Sequence, residues 1–105
     1  MDIKEKNEVL FINLVIMFHS LIWQQLGKVQ DPVSGKVERN LEGARALIDT
    51  LEMLKTKTDG RRTENEDKAL LESLKELRLN FVDESAKKAT DGGSPSPEKE
   101  KGEES

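Results

Sequence analysis

From Val9 to Leu26 the chain reads VLFINLVIMFHSLIWQQL, with no Asp, Glu, Lys or Arg. Wound at 100° per residue, this segment is apolar almost all the way round. Its one polar line is Asn13, Ser20 and Gln24, with Met17 inside it, while His19 stands on the far side between Ile12, Val15 and Trp23. A surface helix of a small domain shows an apolar stripe a little over about 100° wide, so this one carries more apolar surface than a short chain can cover. The pattern predicts a first helix over 8–26, capped by Asn7, with Glu8 in its first turn and Gly27 as its stop. Phe11, Leu14, Val15, Phe18, Leu21 and Ile22 are its candidate interface residues, facing a second copy or another protein.

Two further helices follow from period-3.6 patterns. After a connector containing Asp31-Pro32-Val33-Ser34-Gly35, a turn-forming run, Asn40 caps a helix over 41–58. Leu41, Ala44, Leu47, Ile48, Leu51 and Leu54 fall within an arc of about 140°. A short hairpin with Val29 and Val37 on its arms is a local alternative for the connector. Gly60 ends the second helix, and Thr63-Glu64-Asn65-Glu66 is a capping box opening a third over 64–83. Its apolar face is Leu70, Leu71, Leu74, Leu77, Phe81 and Val82. The short turn between helices two and three imposes an antiparallel hairpin. The expected fold is all-α: a long apolar first helix on a two-helix hairpin, folding within 1–84. Residues 85–105 lack large apolar side chains and hold both Pro and Gly, so their composition predicts a disordered polar tail.

Composition narrows the function classes. Of 105 residues, 34% are hydrophobic and 36% charged, lean for a self-sufficient core. Self-association is therefore the expected route to completing it. The chain has no cysteine, so no disulfide or thiolate metal site can staple the fold, which fits a reducing compartment. A net charge of -4 and a pI of about 5.1 argue against general nucleic-acid affinity. The leading MDIKEKNE is mixed in sign and no small-x-small site follows the apolar run, unlike a signal peptide. Asn13, His19, Ser20, Gln24 and Gln25 interrupt it as a membrane span.

Each candidate chemical group has a plainer reading beside it. His19, the one histidine, has apolar helical neighbours and reads as a structural or interfacial residue. Arg78 lies inside the third helix's apolar arc; it reads as an arginine reaching from the core to water, or as a polar contact to a carboxylate such as Asp31. Lys55, Lys57, Arg61 and Arg62 surround the turn between helices two and three. They form a candidate phosphate-contacting tip, the basis of an alternative reading as a nucleic-acid or ribonucleoprotein accessory, although Asp59, Glu64 and Glu66 lie beside them. No phosphate-binding glycine loop, zinc spacing or nucleophile elbow occurs, so neither enzyme activity nor a cofactor or metal is expected.

Several short signatures occur in order: Leu26-Gly27, Asp31-Pro32, Ser34-Gly35, Asn40-Leu41-Glu42, Ala44-Arg45, Ile48-Asp49, Met53-Leu54, Lys57-Thr58, Thr63, Glu66, Leu77-Arg78 and Phe81-Val82. The pattern, over about 11–82, resembles the bacterial family described as domain of unknown function 1844. The resemblance implies a bacterial, cytoplasmic, mostly helical protein and supplies no catalytic residue. The function expected from the residues is that of a small helical protein–protein interaction module, self-associating through its first helix.

Overall fold

The computed structural model describes residues 1–30 and 32–91, with side chains through Lys87. Three helices follow in order: α1 (Ile3–Gln25), α2 (Leu41–Lys57) and α3 (Glu64–Asp91), and each packs on both others. The fold is an all-helical bundle, with α1 laid against the α2–α3 hairpin. No strand forms among the described residues, and Val29 and Val37 stay exposed on an irregular connector.

The first helix begins five residues before the expected start at residue 8, because its cap is Asp2 rather than Asn7. Asp2 accepts from the Glu5 N–H at 2.8 Å, and Glu5 reaches back to the Asp2 N–H at 3.2 Å. This is a capping box satisfying two otherwise orphan donors. The far end closes in a Schellman motif: Lys28 N–H donates to Trp23 O at 3.0 Å and Gly27 N–H to Gln24 O at 2.9 Å. Gly27 takes φ of 80° there, a region where a Cβ is strained.

Asn40 caps α2 by accepting from Gly43 N–H at 2.9 Å. Its own N–H donates to Gln25 O at 2.7 Å, bringing the end of the connector back to the end of α1. Thr63 and Glu66 exchange the expected capping-box bonds at 3.1 and 2.8 Å. The third helix does not stop at residue 83: it runs to Asp91, so the opening of the expected tail is helical. Residues 92–105 of that tail lie outside the described residues, as does Asp31.

The core takes Val15 and Ile22 of α1 with its C-cap Leu26, Ala44, Ile48 and Leu51 of α2, and Leu70, Leu74 and Leu77 of α3. Phe11, Phe18, Trp23, Leu41, Leu47, Leu54 and Phe81 pack around its edge. The apolar arcs of α2 and α3 thus point inward as their periodicity dictates, except Leu71 and Val82, which stay exposed.

Candidate functional site

The hairpin covers only one side of α1. Ile3, Val9, Leu10, Leu14, Ile16, Met17 and Leu21 remain 38–67% exposed along the other. In projection these residues span about 160°. Ile16 and Val9 form one flank, Met17, Leu10, Leu21, Ile3 and Leu14 the other, and Asn13, Ser20 and Gln24 run between them. The strip carries no charged side chain from Val9 onward, and Lys6 continues the polar line at its N-terminal end.

This geometry divides the six candidate interface residues. Val15 and Ile22 are fully buried against the hairpin, so they belong to the core and cannot face a partner. Phe11 and Phe18 pack along the core edge. Leu14 and Leu21 lie on the open face. The polar line Asn13, Ser20 and Gln24 marks the middle of the side turned away from the hairpin. Val9, Leu10, Ile16 and Met17 flank that line and stay exposed, so they join Leu14 and Leu21 on the open face.

The basic turn is built differently from a free cationic tip. The Arg62 side chain is 8% exposed and pairs with Asp67 of α3 at 2.9 Å. It also donates to Lys55 O at 2.7 Å and Thr58 Oγ1 at 2.9 Å. One guanidinium thereby ties the last turn of α2 to the first turn of α3, using its fork of donors. Lys57 and Arg61 are exposed, and Lys55 is partly covered. Glu8 of α1 approaches the same end, accepting from Thr63 Oγ1 at 2.5 Å.

Arg78 pairs with Glu52, joining α3 to α2; Asp31, its other candidate partner, lies outside the described residues. The pair rims a shallow groove floored by Ile48, Phe81 and Val82. His19 Nε2 lies 2.8 Å from Glu76 Oε1 and its ring stacks on Trp23, with centroids 5.3 Å apart. The only histidine thus joins α1 to α3.

Glu84 was not singled out by any sequence pattern. Its carboxylate meets Lys28 at 2.7 Å, Arg39 at 2.9 Å and Lys87 at 3.2 Å. Lys28 and Arg39 stand at the two ends of the connector, so one side chain of α3 holds both. The hydrogen bond from Lys28 outweighs desolvation and, with Arg39 and Lys87, lowers the Glu84 pKa to about 2. Lys87 is raised in return, first by its hydrogen bond to Glu84. Only the i, i+3 spacing of Glu84 and Lys87 was visible in the sequence; the two long-range cations were not.

Compared with known families, the chain matches the model described as domain of unknown function (DUF1844) over residues 8–84. Neither the comparison with curated proteins nor that with solved structures finds a match.

Proposed function

The chain belongs to the domain of unknown function (DUF1844) family, and we propose that it is a small interaction module that pairs with a second copy of itself through the open face of α1. The observation carrying this reading is the uncharged strip from Val9 to Leu21, left bare by the hairpin. A second copy suits it for three reasons. The strip offers no fixed charge for an oppositely charged partner to recognise. Asn13, Ser20 and Gln24 each donate and accept hydrogen bonds, so a two-fold can pair the line with itself. Finally, covering the exposed halves of the strip's six apolar side chains per copy gains on the order of 1 kcal/mol each. Summed over both copies, that exceeds the lower end of an association cost of about 4–15 kcal/mol, which puts pairing no tighter than about micromolar. A larger protein could use the same face, and the reading assigns no catalysis.

By length and composition α1 is apolar enough to cross a membrane. The packing of α2 and α3 on it speaks for a different role. Their outer faces expose Glu42, Arg45, Asp49, Lys68, Glu72 and Lys75, and spanning would carry those charges into hydrocarbon. The alternative reading, nucleic-acid contact through Lys55, Lys57, Arg61 and Arg62, is weakened because Arg62 is committed within the turn.

Sedimentation equilibrium of the full chain tests the proposal. A monomer–dimer equilibrium with a midpoint in the micromolar range is expected. A chain that stays monomeric at several hundred micromolar, or that floats with phosphatidylcholine vesicles, would overturn it. So would salt-sensitive RNA binding lost on replacing Lys57 and Arg61 by Gln.

A further inference from the structure

We propose that the polar line of α1, Asn13, Ser20 and Gln24, selects the partner of the open face. It favours a surface that returns its hydrogen bonds, which a second copy does, and it holds the pairing to reversible strength. This deepens the self-association reading and rests on it, and it applies whichever way the second copy lies.

The place of the line within the face is the first observation. Protein interfaces set apolar residues at the centre and polar ones at the rim. The open face of α1 reverses that order. Asn13, Ser20 and Gln24 lie within about 40° of one another in projection. Val9 and Ile16 stand exposed on one side of them, Leu10, Leu14, Met17 and Leu21 on the other. Any body that covers both apolar flanks at once therefore covers the polar line between them.

Hydrogen bonding is the second. On α2 and α3, hydroxyls and amides spend donors on their own helix: Thr50 on Ala46 O at 2.8 Å, Thr56 on Glu52 O at 3.2 Å, Asn80 on Glu76 O at 2.9 Å. The side chains of Asn13, Ser20 and Gln24 make no hydrogen bond among the described residues, so in the single chain they are left to solvent. Covering the flanks strips that solvent away. A wholly apolar surface gives nothing back, and each group left unpaired costs free energy. A second copy brings the same three groups, each able to donate and accept. Exchanging water for such partners gains little net free energy, so the centre of the seam contributes less than leucines there would. A single polar residue in the seam of a coiled coil likewise fixes the partner at a cost in stability.

The full chain carrying both Asn13→Leu and Ser20→Leu tests the inference. The two positions are exposed, so the variant should keep the helicity of the wild type. In sedimentation equilibrium it should pair about tenfold or more tighter than the wild type. A control carrying Lys68→Leu and Glu72→Leu, both exposed on the outer side of α3, should pair as the wild type does. Unchanged or weaker pairing of the first variant, or an equal gain from the control, would overturn the assignment.

Mixing the wild type with the Asn13→Leu, Ser20→Leu chain separates choice of partner from strength. A mixed pair leaves the wild-type groups without partners, so its association constant should fall at least about threefold below the geometric mean of the two like pairs. A mixed pair at that mean would show that the line does not discriminate, and would overturn the inference while self-association stands. Wild-type pairing that survives Leu10→Glu, or a wild type that stays monomeric throughout, would instead remove the reading on which the inference rests, and both would fall.

Discussion

Glu84 shows how much of this fold hangs on single side chains that no local pattern marks. Its carboxylate is covered by flexible cationic chains rather than sunk among apolar groups, and the cations hold its pKa near 2 instead of 4.5. A carboxylate lowered on folding stabilises the native state above its unfolded value and loses that contribution as pH falls through the folded one. Glu84→Gln should therefore cost about 1–2 kcal/mol at pH 7, read as a melting midpoint several degrees lower. The gap between wild type and variant should close as pH drops from about 4.5 to about 2. A gap unchanged at pH 2 would mean that the three cations do not act through the charge. His19 and Arg62 belong to the same class of residue. Each is legible in sequence as a polar group in an apolar or turn setting, and each finds its partner only in three dimensions: Glu76 for one, Asp67 with the end of α2 for the other.

At the scale of the element, periodicity served where the polar face is broad and failed where it is not. The inward arcs of α2 and α3 were legible because water takes the opposite side. The capping boxes teach a narrower lesson. Thr63–Glu66 stands just before its apolar face and is readable, whereas the equivalent Asp2–Glu5 signature lies a full turn and more ahead of the apolar run that begins at Val9 and so does not mark its start. The end of α3 lies beyond the point where the composition turns polar, because Ala86, Lys87 and Ala89 are ordinary helix formers. The extra turns carry weight, since Lys87 pairs with Glu84 from within them at 3.2 Å. A chain ending at Glu84 loses that pair and the turn that holds its carboxylate in place. It should melt several degrees below a chain ending at Asp91, measured by circular dichroism at 222 nm. Equal midpoints would show that α3 contributes nothing after Glu84.

For the whole molecule the question is which face of α1 serves the fold and which serves association. Sequence alone supplies the surplus of apolar surface and, in the line of Asn13, Ser20 and Gln24, the middle of the side left open; how far that side extends is set by where the hairpin packs. The structure makes that division testable. Leu10 and Leu21 are exposed in the single chain, whereas Ile22 is fully buried in its core. Glu at Leu10 or Leu21 should abolish pairing by placing an unpaired charge in an apolar seam. The monomer should stay helical, because the substituted side chain already faces water. Glu at Ile22 should unfold the chain outright, as burial of an uncompensated carboxylate and loss of a core side chain both act against folding. Pairing also ties stability to concentration. If the proposed pairing holds, only the folded chain takes part in it, and the wild-type melting midpoint should rise as protein concentration is raised through the micromolar range. Leu10→Glu should melt at one temperature regardless of concentration. A wild type whose midpoint ignores concentration, or a Leu10→Glu chain as unfolded as Ile22→Glu, would mean that the open face of α1 belongs to the stability of the monomer and not to its partner.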